Sequence, residues 1–268
     1  MISKSDEVKQ EILIDEIGMF NKKTCRIMAG PCAVESRDQI MYTAEKLADL
    51  GIEIFRAGAF KPRTNPYAFQ GSHEEGLRWL EEVRETYGMK IITETSDSTN
   101  FSAVENTTDI IQIGAKAMYD HALLRAAGKS KKPILLKRHF AATVEELFKM
   151  ADYALIEGNR QIMFCERGIR TFENSTRFTL DLCGAAVIKK ETKAPLILDP
   201  SHSMGYSFGV PDIAKACVAF GCEGLLIEVH HNPKEALCDS EQALSIDEFT
   251  ELYKQMKDIG NAIGKDVK

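Results

Sequence analysis

Several features are missing from this 268-residue sequence, and each absence removes a class of function. No stretch approaches the ~18 consecutive apolar residues that a membrane span requires. The opening residues, MISKSDEVKQEI, hold no apolar segment of the kind a secretory leader needs, so none is expected. Positive charge is not in excess: 34 Lys and Arg stand against 40 Asp and Glu, a formal net charge of -6. Such a balance leaves no electrostatic footprint for nucleic acid or for an anionic membrane. The seven cysteines are odd in number and show no CxxC spacing. That argues against a disulfide framework and for a reducing, cytoplasmic setting. Cys25, Cys165, Cys183, Cys217, Cys222 and Cys238 read as small buried hydrophobes. No linker rich in Pro, Gly or Ser, no low-complexity tract and no short repeat divides the chain.

What is present is a recurring unit: a short apolar run, a polar loop, then an amphipathic segment. Eight runs stand out, at 26–31, 52–57, 90–95, 109–115, 133–138, 161–167, 195–201 and 224–229. They are rich in Ile, Leu and Val without strict alternation, as parallel strands buried on both faces are. Between them, 37–50 places Ile40, Ala44, Leu47 and Leu50 on one helical face. Ser36 and Gln39 precede that face with capping-box spacing, and Gly51 stands where a C-terminal glycine belongs. Thr143 and Glu146 repeat the capping signal before a helix over 144–156, and Gly158 follows it. Eight such units predict a closed (β/α)8 TIM barrel over 26–268, with an open doubly wound sheet as the alternative. Residues 1–25 form an N-terminal extension in which 11–20 predicts a small hairpin closing the lower end of the barrel. That extension is too short for a folded regulatory domain.

Active sites of this architecture lie at the C-terminal ends of the strands. Read there, the sequence offers two chemistries. The first is cationic: Arg56, Lys61, Arg63, Lys116, Lys137, Arg138 and Arg167. Lysines and arginines are costly to bury alone, and guanidinium forks match phosphate and carboxylate oxygens. Lys137 and Arg167 each close a run that should be buried, so an anionic ligand is expected. The second is metal-like. Cys32, His202, Glu228 and Asp239 come from the ends of strands 1, 7 and 8 and the loop beyond, which neighbour one another in a closed barrel. A thiolate, an imidazole and two carboxylates suit a borderline divalent ion such as Zn, Mn or Fe. His230 and His231 compete as ligands, but consecutive strand residues point to opposite faces, so at most one faces the site.

The stretches GPCAVES (30–36), RAGAFKPRTNPYAFQG (56–71), LLKR (135–138), CERGIRTFE (165–173), DPSH (199–202) and EVHHNPKEALCDSEQAL (228–244) carry a resemblance. Together they resemble the short bacterial and archaeal type of DAHP synthase. The KPRT segment is the most specific, since the related 3-deoxy-octulosonate-8-phosphate synthases typically carry a KANRS-like segment there. The resemblance implies a metal-dependent condensation of phosphoenolpyruvate with erythrose 4-phosphate. It implies that Cys32, His202, Glu228 and Asp239 hold the metal. It further implies that Arg56, Lys61, Ala115, Lys116, Lys137 and Arg167 hold phosphoenolpyruvate, and that Arg63 and Thr64 hold the aldose phosphate. Lys61, between both substrates, is the candidate general acid. A homodimer or homotetramer, and no feedback inhibition through a built-in domain, are implied as well. The sequence departs from the pattern at GAKAMYD (114–120), usually GARNMQN, and at His139, usually glycine. Those departures bear on the acceptor: arabinose 5-phosphate, another aldose, or a non-catalytic barrel binding a phosphorylated metabolite are the competing readings.

Overall fold

The computed structural model describes residues 1–14, 18–61, 63, 65–95 and 97–268. Among them, eight parallel strands form a ring: Thr24–Gly30 (β1), Ile54–Arg56 (β2), Lys90–Thr95 (β3), Ile110–Ile113 (β4), Ile134–Lys137 (β5), Ile162–Glu166 (β6), Leu196–Leu198 (β7) and Gly224–Glu228 (β8). Each pairs with the next, and β8 returns to β1 with Gly224 opposite Arg26 and Glu228 opposite Gly30. That last pairing closes the barrel and excludes the open sheet.

Helices cover the outside: Arg37–Asp49 (α1), His73–Tyr87 (α2), Phe101–Thr107 (α3), His121–Lys129 (α4), Val144–Leu155 (α5), Leu182–Glu191 (α6), Val210–Phe220 (α7) and Ile246–Ala262 (α8). Local signals set their ends. Ser36 accepts from the Gln39 amide, and Gly51 follows α1 with φ +81°. Thr143 and Glu146 form a complete capping box at the start of α5.

The strands are buried on both faces. Met28, Ile54, Ile92, Ile110, Leu135, Met163, Ile197 and Leu226 fill the interior of the ring. Their immediate neighbours, among them Ile27, Phe55, Ile91, Leu136 and Leu225, face outward into the larger core beneath the helices. This strict alternation places every second residue of a strand inside.

The expected hairpin is present. Ile12–Ile14 pairs antiparallel with Gly18–Phe20, and the turn between them lies outside the described residues. Ile12, Ile14 and Phe20 join the interior cluster, and Gly224 at the start of β8 leaves room for the Phe20 ring. The hairpin therefore plugs the N-terminal end of the barrel. Phe20→Ala should lower unfolding stability by about 3–5 kcal/mol, as a large cavity opens in a packed interior. Denaturant titration checks this, and a change well under ~1 kcal/mol would mean the plug is not packed.

Cys25, Cys165, Cys217 and Cys222 are buried as expected, but Cys183 is exposed. It lies on α6, whose buried positions are Ala185 and Ile188, and two residues of helix rotate its side chain away from that face.

A candidate metal and anion site at the C-terminal rim

The alternation that builds the interior also delivers the site. Moving two residues past an inward apolar residue reaches Arg56, Glu94, Gln112, Lys137, Arg167, Asp199 and Glu228. Each is the polar end of an inward-facing row. On β1 the row runs from Met28 through Gly30 to Cys32. Gly30 has φ +148°, and a Cβ there would collide with the Arg56 carbonyl oxygen, so only glycine allows the two backbones to approach.

Donor atoms of Cys32, His202, Glu228 and Asp239 lie within 4.8 Å of one another. Glu228 opposite Gly30 fixes the register that brings β1 and β8 together here. His202 follows from the short helix Pro200–Met204, capped by Asp199, whose carboxylate accepts from the His202 amide at 3.0 Å. The same carboxylate holds His202 Nδ1 at 3.1 Å, which leaves Nε2 facing Glu228 at 3.4 Å and Asp239 at 3.8 Å. A carboxylate orienting one imidazole nitrogen while the other faces a donor cluster is the usual support of a metal-bound histidine. Burial pushes the His202 imidazole down, so it stays neutral near pH 7 with a lone pair to offer. The Cys238 contact, then burial, pushes the Cys32 thiol up, so a cation bound there must displace a proton. His230 and His231 stand apart from this cluster: His230 is buried, 3.4 Å from Glu35 and taking the Asn232 amide on Nδ1.

Above the cluster opens a cavity of about 390 Å³. Lys61, Arg63, Lys116, Lys137, Arg167 and Arg177 line it, against the acids Glu94 and Asp239. Lys137 is buried and donates to Asp199 at 2.6 Å. Burial alone would raise the Asp199 carboxyl, but His202 and Lys137 outweigh it and hold it well below the usual carboxylate range. Lys61 donates to the Cys32 carbonyl at 3.0 Å and to its sulfur at 3.1 Å. Burial works against its charge, yet Cys32, Cys238 and Glu94 raise it, so the ammonium keeps its proton. Arg167 is buried over the Phe178 ring, and its Nη1 has no hydrogen-bond partner among the described residues. A buried guanidinium nitrogen left open at a cavity wall is suited to an anionic oxygen.

A model of the DAHP synthetase I family matches residues 8–265. The chain belongs to that family. The phospho-2-dehydro-3-deoxyheptonate aldolase of Thermotoga maritima is 45% identical over 238 residues, covering 89% of this chain and 70% of that protein. The crystal structure of that DAHP synthase superposes with a TM-score of 0.95 at 41% identity, over 98% of this chain and 77% of that one. A truncated 3-deoxy-D-arabino-heptulosonate 7-phosphate synthase from the same organism gives 0.91 at 40% identity, over 98% and 96%. The 2-dehydro-3-deoxyphosphooctonate aldolase of Aliivibrio fischeri is 31% identical over 275 residues, covering 95% of this chain and 96% of that protein. No helix among the described residues is long and apolar enough to cross a membrane.

Within this DAHP synthase-like rim, most of the cations expected from sequence meet. Arg56 lies just beneath the cavity, donating to Glu228 at 3.1 Å and to the Pro31 carbonyl at 2.8 Å. Ala115 and Lys116 line the wall on a short turn after β4. Thr64 lies outside the described residues. Arg138 is placed elsewhere. One residue past the inward Lys137, it points outward and is held by Glu166 and Asp181, each at 2.9 Å. The departures at 117, 120 and 139 also stand off the cavity. Ala117 packs on the outer core, Asp120 caps α4, and His139 packs edge-on against Tyr119.

Two residues emerge that the strand-end reading gave no role in the site. Cys238 places its sulfur 3.0 Å from that of Cys32 and receives a hydrogen bond from Arg63. Its position beside Asp239 was the available signal. Arg177, from the loop between β6 and α6, faces the cavity and pairs with Asp239 at 3.3 Å. It lies ten residues past Arg167, too far from a strand end for that reading to reach it.

Proposed function

We propose that this protein condenses phosphoenolpyruvate with erythrose 4-phosphate to give 3-deoxy-D-arabino-heptulosonate 7-phosphate and phosphate, the first step of the shikimate pathway. One observation carries the reading: a four-donor cluster reaches, through His202 and Asp239, the cavity that six cations line, with one buried guanidinium nitrogen left without a hydrogen-bond partner among the described residues. The membership of the family and the 45% identical relative support the same reaction.

In this reading C3 of phosphoenolpyruvate forms a bond to the aldehyde carbon, water adds at C2, and the C2–O bond to phosphate breaks. Arg56, Lys61, Lys116, Lys137 and Arg167 hold phosphoenolpyruvate against Ala115, while Arg63 and Thr64 take the aldose phosphate. Two anions repel at close range, so the cations both lower that repulsion and fix the approach. Lys61, kept protonated, donates in this reading to the aldehyde oxygen as charge grows on it. Cys32, His202, Glu228 and Asp239 would hold a divalent ion such as Mn, Fe or Zn, which supplies Lewis acidity when bound. Free cysteines throughout suit a reducing cytoplasm, and the resemblance points to a homodimer or homotetramer.

Incubation with phosphoenolpyruvate, erythrose 4-phosphate and Mn²⁺ should release phosphate in step with loss of phosphoenolpyruvate. EDTA should stop the release, and excess Mn²⁺ should restore it. Silence across several divalent metals and both aldoses would overturn the proposal. A second reading, the same chemistry on arabinose 5-phosphate, is favoured by the relatives named 2-dehydro-3-deoxyphosphooctonate aldolase and by Lys116, which lacks a guanidinium fork. Comparison of kcat/KM for the two aldoses decides between them, with erythrose 4-phosphate expected to be preferred.

A further inference from the structure

On both Glu228 and Asp239, the oxygen turned away from the donor cluster meets a side chain from outside it. Glu228 Oε2 accepts from Gln242 Nε2 at 2.7 Å, and Gln242 Oε1 in turn accepts from Arg177 at 2.7 Å. Arg177 also faces Asp239 Oδ1 at 3.3 Å. The other oxygens turn to the donor cluster: Glu228 Oε1, which also accepts from Arg56 at 3.1 Å, lies 3.4 Å from His202 Nε2, and Asp239 Oδ2 lies 3.2 Å from the Cys32 sulfur. The amide of Gln242 has one workable orientation. A guanidinium only donates and a carboxylate only accepts, so flipping the amide would lose both bonds. Gln242 is buried, so neither bond is replaced by water. The backbone of Arg177 is fixed as well, donating to the Met204 carbonyl at 3.1 Å and packing where Gly205, φ +77°, has no side chain.

We propose that Arg177 and Gln242 form a positioning bridge that makes both carboxylates present a single oxygen to the cation site, and so sets how tightly that site holds a divalent ion. The inference rests on the reading of Cys32, His202, Glu228 and Asp239 as ligands. Without the bridge, Asp239 can swing to offer both oxygens or turn away, and Glu228, held by Arg56 alone, can rotate its freed Oε2 toward the site, so affinity falls with that freedom. Such supporting contacts typically govern metal affinity by about 10- to 100-fold. Because Arg177 faces the substrate cavity and pairs with Asp239, the same guanidinium ties the anion pocket to the cation site.

The test uses the metal-stripped full chain without substrate. Co²⁺ added to the unsubstituted protein should give a thiolate-to-cobalt absorption band that vanishes in Cys32→Ser. If that band never forms, the cation-site reading itself fails. Given the band, competition with a chromogenic chelator for Zn²⁺ measures affinity in Gln242→Met and in Arg177→Ala. Both should bind about 10- to 100-fold more weakly. The metal-free melting temperature of Arg177→Ala should match the parent protein, whereas Gln242→Met, which strands a buried Glu228 oxygen, is expected to melt lower. The double variant should bind no more weakly than the worse single one, because both residues act through one bridge. Arg177 is partly exposed, so its variant tests the idea even if Gln242→Met fails to fold. Unchanged Zn²⁺ affinity in Arg177→Ala, or a loss of affinity that merely follows a fall in metal-free stability, overturns the proposal.

Discussion

Cys32→Ala should lose phosphate release from phosphoenolpyruvate and erythrose 4-phosphate by about three orders of magnitude while keeping its fold. The sulfur is one of four donors converging at the end of β1, and the side chain is buried and small. Its truncation opens little space, so a thermal melt should shift only slightly. Lys61 stays in place, because it also donates to the Cys32 backbone carbonyl at 3.0 Å. The loss is therefore assigned to the cation site rather than to a displaced lysine. A bound ion supplies several kcal/mol of transition-state stabilisation, and about 4 kcal/mol corresponds to the expected thousandfold. Rates should be measured at saturating Mn²⁺, where weak residual binding cannot hide the chemistry. Near-normal turnover under those conditions would remove the thiol from the mechanism.

Lys137→Met should cost about 3 kcal/mol of stability and abolish detectable phosphoenolpyruvate binding. The ammonium and the Asp199 carboxylate meet at 2.6 Å with almost no solvent, at 4% and 1% side-chain exposure. Breaking a buried pair by removing one partner strands the other, which is the costly direction. For a chain near this size, that corresponds to a melting temperature lower by roughly 6–12 °C. The sign with pH follows from the depressed Asp199 carboxyl. In the parent protein its contribution to stability is present above the ordinary carboxylate value, about 3.9, and is lost as pH falls through the lower folded value. Without Lys137 the folded value rises, so acid unfolding should begin at a higher pH. Melting curves taken across the acid range would show this, and coincident acid limbs for the two proteins would refute it.

These effects trace back to features with very different visibility in the sequence. The eight apolar runs, the capping box at Thr143 and Glu146 and the polar residues closing each run were legible locally. Burial on both faces and hydrogen-bonded helix ends leave their marks within a dozen residues. The division between Lys137 and Arg138 was legible in principle. Leu135 is inward, and a strand alternates, so Lys137 enters the barrel and Arg138 leaves it to meet Glu166. Treating the two neighbouring cations alike overlooked that parity.

Sequence alone determined the barrel, the polar ring at its rim and the donor types available there, because secondary structure, burial and side-chain chemistry are properties of short segments. The tertiary structure alone decided which of those groups meet. Closure of β8 on β1, with Glu228 opposite Gly30, brings Cys32 within reach of residues about 200 positions away. It also selected Cys238 over His230 as the companion of Cys32, and drew Arg177 and Gln242 into one chain of hydrogen bonds with Glu228. The physical reason is that register around a closed barrel is set by hydrogen bonding summed over all its strands. No local pattern states that sum.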